Sequence, residues 1–355
     1  MSALFTPLPL RGVTLPNRVG LAPMCQYRAD ADGRPNDWHR VHLGARAVGG
    51  AGLVLTEATA VVPEGRISPQ DTGIWSGAQV DAWRPITEFL TRQGSVPAVQ
   101  LAHAGFKAST YRPWASQRGG VPDADGGWTP VGPGAEPFVP GYRTPAALDT
   151  AGIEAVVEAF GVAAARAVDA GFAAVEVHAA HGYLLHEFLS PLTNHRTDGY
   201  GGDRASRMRL TVEVARAVRA AVGEDVPVLA RISATDWVDG GWTVDDSVVL
   251  AGELAAAGVD LVDCSSGGAS ADARIPVGPG YQVPLAARVR RDAVVPTGAV
   301  GLIVEPEQAE RIVAEGEADL VLMGRELLRD PYWPRRAAAK LGADPQWPDP
   351  YARAF

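Results

Sequence analysis

Two histidines and a tyrosine stand close together in the segment His178-Ala-Ala-His181-Gly-Tyr183. Imidazole nitrogens bind metal ions or donate hydrogen bonds to a substrate, and a tyrosine with an ordinary pKa of about 10 keeps a transferable proton at neutral pH. A catalytic zinc generally has a third protein ligand, and no His-Glu-x-x-His motif is present. The residues favour a site that hydrogen-bonds a substrate. A metal pair and a simply packed Tyr183 are the alternatives.

Glycines mark a second candidate site, because Gly301 and the pair Gly324-Arg325 follow the last two apolar segments of the chain. Backbone N–H groups at such turns and at helix starts bind phosphate, and an arginine adds charge-assisted hydrogen bonds. Their places in two successive loops predict a phosphate site. The alternative is a glycine turn beside a solvated or ion-paired Arg325.

A rare lysine and a rare cysteine add to the candidates. Lys107 is one of two lysines in a chain that otherwise uses arginine, which indicates a need for a compact ammonium. Cys25 ends the first apolar segment and is predicted to be a reactive thiol or to face a bound cofactor, whereas Cys264 is predicted to be a buried small side chain. Two cysteines are too few for a disulfide framework and fit a reducing compartment, so we expect a cytoplasmic protein.

The elements that position these residues repeat along the chain as an Ala- and Val-rich helix, a glycine and a short apolar strand. The pattern occurs in AVGGAGLVLTEAT, AVDAGFAAVEVHAA, LAAAGVDLVDCSS and IVAEGEADLVLMG. Continuous apolar strands, instead of alternating ones, are typical of parallel strands buried on both faces. Further strands are predicted at 19–22, 96–101, 228–233 and 294–298, and helices at 38–48, 79–93, 153–168, 204–222 and 244–257.

Eight such strands predict a single (β/α)8 TIM barrel over residues 1–341. A doubly wound sheet is the alternative, but no Gly-x-Gly-x-x-Gly follows a first strand and the composition does not divide into halves. In a barrel the chemistry lies at the C-terminal ends of the strands, where the candidate residues fall.

Residues 111–145 interrupt the repeat after the third strand. Glycine and proline account for 14 of these 35 residues, and Trp114, Trp128, Phe138 and Tyr142 are interleaved with them. A loop of this length in a compact domain is usually functional or disordered. The aromatic residues favour a lid that caps the barrel.

Residues 342–355 form a terminal tail in which Pro345, Pro348 and Pro350 predict an extended chain that cannot pack as a helix. Arg353 lies there between Tyr351 and Phe355. Tyrosine and arginine are enriched at the cores of protein interfaces, which favours a subunit contact over a frayed end.

Composition excludes several classes of function. Asp and Glu number 41 against 32 Lys and Arg, a net charge of −9 without a basic run, so we expect no nucleic-acid partner. The longest apolar stretch without charge, 293–304, has 12 residues, too few to span a membrane. The first residues lack the pattern of a secretory signal.

Six segments resemble the Old Yellow Enzyme family of flavin-dependent ene-reductases: APMCQY at 22–27, QLAHAGFKA at 100–108, HAAHGYL at 178–184, SPLTNHRTDGYGG at 190–202, ARIS at 230–233 and ADLVLMGRELLRDPYW at 318–333. The resemblance runs from the first strand to the last residue. Cys25, where many relatives carry threonine, and the terminal Tyr351-Ala-Arg353-Ala-Phe355 resemble the thermophilic-like subgroup of NADPH dehydrogenases.

The resemblance implies FMN in the barrel mouth, reduced by NADPH or NADH, and hydride transfer to the β-carbon of an α,β-unsaturated carbonyl compound or a nitro-olefin. It implies that His178 and His181 bond the carbonyl oxygen of the substrate and that Tyr183 protonates its α-carbon. Tyr27 and Lys107 would shape the substrate pocket.

The resemblance also implies a set of flavin contacts: Pro23, Met24 and Cys25 beside the ring, Ala58 and Gln100 at its pyrimidine side, Arg231 near N1 and the C2 carbonyl, and Gly301, Gly324 and Arg325 at the phosphate. It implies a homodimer or homotetramer in which Arg353 reaches the neighbouring active site. A metal-dependent barrel hydrolase using His178 and His181 and a flavin-free binding barrel stay as the alternative functions.

Overall fold

The chain opens with an antiparallel hairpin of β1 (Leu8–Leu10) and β2 (Val13–Leu15) in the computed structural model, which describes residues 2–355. Leu8 and Leu15 pack with leucines at the starts of the barrel strands, such as Leu53 and Leu261. The hairpin therefore covers the N-terminal end of the barrel. The hairpin is not among the predicted strands, because strands of three residues are too short for a periodic signal.

Eight parallel strands close into the predicted barrel, following one another in chain order. The strands after the hairpin are β3 (Val19–Leu21), β4 (Leu53–Ala60), β5 (Val96–Ala102), β6 (Val131–Gly132), β7 (Ala146–Ala147), β8 (Ala174–Ala179), β9 (Val228–Ser233), β10 (Leu261–Ser265), β11 (Thr297–Ala299) and β12 (Leu320–Met323). All of these except β6 and β7 belong to the barrel. A closed barrel confirms the (β/α)8 prediction and excludes the doubly wound alternative.

Helices surround the barrel: α1 (Asp37–Val48), α2 (Gly77–Arg92), α3 (Thr150–Asp169), α4 (Leu184–Leu189), α5 (Arg204–Val222), α6 (Val244–Ala256), α7 (Val283–Ala293), α8 (Pro306–Ala314), α9 (Arg325–Arg329) and α10 (Trp333–Lys340). The five predicted helices are present within a few residues of their expected bounds. Asp203 begins α5 by accepting a hydrogen bond from the Ser206 N–H at 2.7 Å, which satisfies one of the unpaired donors at a helix start.

Alternation along the strands separates two cores. In β8, Val175, Val177 and Ala179 pack outward with the helices, whereas Ala174 packs inside the barrel with the hairpin leucines. Since successive side chains point to opposite faces, His178 also points into the barrel. The interior is thus apolar near the hairpin and polar toward the C-terminal ends of the strands.

The strand predicted at 294–298 is displaced. Val294 has a φ of +54° at the end of α7 and is 87% exposed, and the strand begins only at Thr297. Its apolar character reflects a helix end and a turn rather than a strand. Helix α7 is not among the predicted helices, since its buried apolar residues Val283, Ala286 and Val289 recur over only 11 residues that also contain three arginines.

The excursion at 111–145 lies against the barrel mouth. It contains one short 3-10 helix, Asp123–Asp125, and the strand β6, which pairs with β7. Phe138 packs on Phe106, and Trp114 packs edge-on against Tyr27, with ring centroids 5.3 and 5.5 Å apart. These contacts place the excursion over the mouth; that it opens and closes as a lid stays a prediction.

The tail differs from its prediction, because it ends in a 3-10 helix, Asp349–Ala354. Proline prevents helix formation in an interior but is tolerated in the first turn, where Pro350 lies. Arg335 connects the start of the tail to α1, because its guanidinium donates to the carbonyls of Val48 at 2.7 Å and Pro345 at 2.8 Å. The expectation of an extended tail throughout was therefore wrong.

Candidate active site

A β-bulge positions two of the predicted flavin contacts. The register between β4 and β5 shifts between Leu55 and Ala58, after which Ala58 lies directly opposite Gln100. Thr56 Oγ1 accepts the Gln100 N–H at 3.2 Å within the shifted region. Bulges of this kind often redirect side chains next to active sites.

The bulge also carries Glu57, which holds the segment that follows β3. One carboxylate oxygen accepts the Gln26 N–H at 2.6 Å, and the other lies 3.0 Å from His39 Nε2. This buried pair therefore anchors the segment at Gln26. Met24 lies close to Gly324, because a Cβ on that glycine would be 3.3 Å from Met24 Sδ.

Cys25 lies on this segment as a free thiol. Burial raises its pKa well above the ordinary value, and the nearby carboxyl groups of Asp71 and Glu57 raise it further. The sulfur is therefore a protonated thiol at neutral pH, which argues against a nucleophilic role. Cys264 is fully buried, as predicted.

A layer of polar side chains lies inside the barrel below the mouth. Gln100 donates to Glu176 at 2.7 Å, and Arg231 Nε lies 3.1 Å from Asp263. All four side chains are at most 5% exposed. Arg231 is opposite His178 in the β8–β9 register, so the guanidinium lies next to the histidine site.

His178, His181 and Tyr183 come together at the mouth. The His178 ring lies 5.2 Å from the His181 ring and 5.1 Å from the Tyr183 ring, between centroids. His178 Nδ1 is buried with no hydrogen-bond partner among the described residues. His181 Nε2 lies 2.7 Å from Ser265 Oγ, which leaves Nδ1 of that ring for a ligand.

Burial sets the protonation states of these three residues. It lowers the pKa of His178 and His181 well below the ordinary value, and the charge of Arg231 lowers both further. Burial raises the pKa of Tyr183 well above 10. The site therefore presents two neutral imidazoles and one protonated phenol, which can donate hydrogen bonds to an oxygen atom and a proton to a carbon atom.

Lys107 joins three parts of the mouth. Its ammonium donates to the carbonyls of His181 and Gly268 at 2.7 and 2.6 Å and lies 4.0 Å from the centre of the Phe138 ring on the lid. Burial lowers its pKa to about 8, although the charge of Glu187 acts in the opposite direction.

The predicted phosphate residues line one cavity of about 190 Å³, together with Arg231, Gln282 and Ser265. Gly301 has a φ of +127°, and a Cβ there would lie 3.1 Å from the Tyr281 ring and from Gln282. Gly324 precedes α9, whose first N–H groups have no partner within the helix. With Arg231 at the interior end and Arg325 at the helix start, the donor set fits an elongated ligand carrying a phosphate, such as FMN.

Arg353 does not join this site within one chain. Arg353 is exposed, and within residues 2–355 it forms no hydrogen bond or ion pair with a residue of the site. The tail before it is held near Gly50 and Ser95, which precede β4 and β5, at the end of the barrel opposite the mouth.

Several contributors to the site were missed. Ser233 and Ser265 end β9 and β10, and their hydroxyls bond the backbone N–H and the ring of His181. Their places at strand ends would have indicated them by the same rule that selected His178. His186, Asp236 and Gln282 carry no such signal, because only the folded chain brings them near the mouth.

The metal hydrolase alternative receives no support. Within residues 2–355 no group of three or more His, Cys, Asp or Glu side chains is arranged to hold a metal ion.

In the same part of the chain no helix has both the length and the apolar character to cross a bilayer.

Known proteins resemble the whole chain. The NADH:flavin oxidoreductase / NADH oxidase family matches residues 3–344. An NADPH dehydrogenase of Geobacillus sp. (strain WCH70) is 47% identical over 340 residues, which are 96% of this chain and 94% of that protein. Morphinone reductase has a TM-score of 0.80 at 30% identity, covering 96% of this chain and 90% of that one. The old yellow enzyme homologue from Zymomonas mobilis has a TM-score of 0.79 at 29% identity, covering 95% and 92%.

The chain therefore belongs to the NADH:flavin oxidoreductase / NADH oxidase family. It is an enzyme of the Old Yellow Enzyme type, an FMN-dependent oxidoreductase that uses NAD(P)H as its reductant. This agrees with the resemblance that the motifs carried and with the donor set of the cavity.

Proposed function

We propose that this enzyme reduces the carbon–carbon double bond of α,β-unsaturated carbonyl compounds and nitro-olefins. The observation that carries the proposal is the group of two neutral imidazoles and one protonated phenol at the mouth, with ring centroids about 5 Å apart. FMN, once reduced by NAD(P)H, supplies a hydride. The residues of the chain then have to hold an oxygen atom and deliver a proton.

His178 and His181 donate hydrogen bonds to the carbonyl or nitro oxygen of the substrate. These donors withdraw electrons from the β-carbon, and they stabilise the negative charge that grows on the oxygen by about 2.7–4 kcal/mol per donor, by analogy with oxyanion holes. Tyr183 donates its proton to the α-carbon. Tyr27, Lys107 and the apolar Phe106 form the walls around the substrate.

The cofactor is held by the residues that line the mouth and the cavity. Pro23, Met24 and Cys25 would flank the ring, Ala58 and Gln100 would hydrogen-bond its pyrimidine side, Arg231 would stabilise negative charge near N1 and the C2 carbonyl, and Gly301, Gly324 and Arg325 would bind the phosphate. The pairing of Ala58 with Gln100 in the strand register and the presence of Arg231 and Arg325 in the lining of the cavity support this assignment.

Product analysis tests the activity. The FMN-loaded enzyme is incubated anaerobically with NADPH and either cyclohex-2-enone or β-nitrostyrene, and the saturated product is quantified against NADPH consumed. We expect a ratio of one, and NADPH oxidation without saturated product would contradict the proposal.

We also propose a homodimer or homotetramer in which the tail, residues 342–355, brings Arg353 to the neighbouring mouth. Beside Tyr27 lies an open cavity of about 520 Å³, lined by Trp38 and Val41, which are 47% and 70% exposed. On the tail, Phe355 is 71% exposed. Apolar surface on both elements suits a subunit contact.

Light scattering and kinetics test the assembly. Deletion of residues 351–355 should lower the mass of the oligomer and raise the KM for enones. Arg353→Ala is the matched control, because it keeps the aromatic residues and should raise KM without changing the mass. A truncated protein with unchanged mass and kinetics would refute the contact.

The proposed location is the cytoplasm. Both cysteines are free thiols, as suits a reducing compartment. Cell fractionation followed by immunoblotting tests it, and recovery outside the cytoplasmic fraction would contradict it.

A further inference from the structure

The turn that carries His181 and Tyr183 has an uncommon backbone. His181 has a φ of +60° and Gly182 a φ of +69°. A left-handed conformation costs an ordinary residue about 1–2 kcal/mol. A Cβ on Gly182 would lie 2.1 Å from the Gly268 carbonyl oxygen, so this place in the turn requires glycine. Contacts from outside the turn must hold it.

Side chains from three different elements provide these contacts. The Ser233 hydroxyl accepts the His181 N–H at 2.9 Å, and Lys107 donates to the His181 carbonyl at 2.7 Å. His186 Nδ1 accepts the Gly182 N–H at 2.8 Å. Of the three, only the histidine contact depends on which ring nitrogen carries the proton.

Asp236 selects the required form of His186. Because Nδ1 accepts a hydrogen bond, the proton of a neutral imidazole must be on Nε2, and Nε2 lies 3.0 Å from Asp236 Oδ1. Asp236 Oδ2 accepts from Ser190 Oγ and the Trp242 N–H, at 2.6 and 2.8 Å. His186 and Asp236 are both fully buried.

Asp236 stays ionised in this place. Burial opposes its ionisation, but the hydrogen bonds from the His186 ring, Ser190 and the Trp242 N–H outweigh burial and lower its pKa. An ionised carboxylate accepts hydrogen bonds only, so it enforces the Nε2 proton on His186.

We propose that Asp236 and His186 are a pair of positioning residues that set the turn from Ala180 to Tyr183 and thereby the approach of the Tyr183 proton to the substrate. This inference rests on the proposed ene reduction. The contacts of neither side chain involve the rings of His178, His181 or Tyr183; the pair acts through the Gly182 N–H. Because Tyr183 is the next residue and is the N-cap of α4, a shift of this N–H moves the phenol.

Two substitutions of one residue separate positioning from simple stabilisation. His186→Asn places an oxygen acceptor where Nδ1 was, whereas His186→Leu has a similar size and no acceptor. Both lose the contact with Asp236, so they should lose similar amounts of thermal stability. We expect His186→Leu to slow enone-dependent reoxidation of the reduced enzyme by about 100-fold, the loss that a displacement of about 1 Å can cause. His186→Asn should recover most of this rate.

Stopped-flow measurement of three reactions completes the test: reduction by NADPH, reoxidation by cyclohex-2-enone and reoxidation by dioxygen. The dioxygen rate should change little in any variant, since it needs no proton from Tyr183. Equal enone rates in His186→Asn and His186→Leu would overturn the inference. If these variants do not retain FMN, Asp236→Asn is compared with Ser190→Ala, which removes a hydrogen bond from the same carboxylate without affecting the turn.

In that second comparison, a selective loss of the enone rate in Asp236→Asn is expected, and equal rates would again overturn the inference. Tyr183→Phe distinguishes this failure from failure of the proposed function. If Tyr183→Phe leaves the enone rate unchanged, the proton-donor role is wrong; if it slows the reaction while the His186 and Asp236 variants do not, only the positioning role is wrong.

Discussion

Arg231 and Asp263 face each other at the same register of β9 and β10, and their side chains form a buried ion pair with Nε 3.1 Å from Oδ2. Glu176 is a second carboxyl group in this layer. Burial raises the pKa of both carboxyls, whereas the charge of Arg231 acts in the opposite direction. The single guanidinium of Arg231 therefore compensates the charge of two buried carboxyl groups, and the protonated form of Glu176 is favoured.

Removal of Asp263 should destabilise the protein more than removal of the Glu176 charge. Asp263→Asn deprives Arg231 of its direct partner and should cost about 3–5 kcal/mol, as the breaking of buried pairs does. Glu176→Gln keeps that partner and a neutral group of similar shape, so its effect should be small. Thermal unfolding of both apoproteins measures this, and an equal loss in the two variants would contradict the assignment of the counter-ion.

Tyr183→Phe should slow reoxidation by enones while leaving reduction by NADPH largely intact. Only reoxidation uses the phenolic proton, and general acid catalysis contributes about 100- to 10,000-fold. Stopped-flow measurement of both half-reactions checks this expectation. Equal slowing of the two would show that Tyr183 has another role.

Arg325→Ala should weaken FMN binding. Loss of a hydrogen bond to a charged group costs about 1.5–3 kcal/mol, and each 1.4 kcal/mol is about a tenfold change in Kd. Arg329 lines the same cavity but pairs with Glu326, so Arg329→Ala is a matched control with a weaker expected effect. Fluorescence titration of the apoproteins with FMN compares them; an Arg325→Ala protein that keeps its flavin through dialysis would refute the phosphate role.

Cys25→Ala should lower the reduction potential of the bound flavin and preserve turnover. A protonated thiol is a weak hydrogen-bond donor, and its loss at about 1 kcal/mol corresponds to about 20 mV for a two-electron couple. Spectroelectrochemical titration gives the potential. Inactivation without a change in potential would point instead to chemistry at the sulfur.

Lys107 should make the stability of the protein depend on pH above neutrality. Its pKa is lowered from 10.5 to about 8 in the folded chain, so between these values the unfolded chain binds more protons. Stability contributed by this position therefore rises with pH across that window. The Tm of the wild type should increase relative to that of Lys107→Met between about pH 8 and about pH 10. A constant difference in Tm would show that the ammonium is not desolvated.

The sequence alone determined the barrel. The spacing of apolar residues in helices and strands, and the glycines that end the helices, can be recognised within short segments of the chain. The apolar runs at β4, β5, β8 and β9 show their burial directly in the letters. The sequence also indicated His178, His181, Tyr183 and Gly324-Arg325 as site residues. They follow predicted strands, and the C-terminal ends of all strands of a (β/α)8 barrel lie at the same end of the barrel.

Tertiary structure decided which groups act together. The pattern of apolar residues within one strand does not show how that strand aligns with its neighbour. We therefore could not predict the bulge that sets Ala58 opposite Gln100, nor the Arg231–Asp263 pair. The contact of His186 with Asp236 joins residues 50 positions apart through hydrogen bonds that have no periodic signature. Burial, which fixes the protonation of Cys25, Lys107 and Tyr183, is likewise a property of the packed chain, because it depends on which distant segments exclude water from each group.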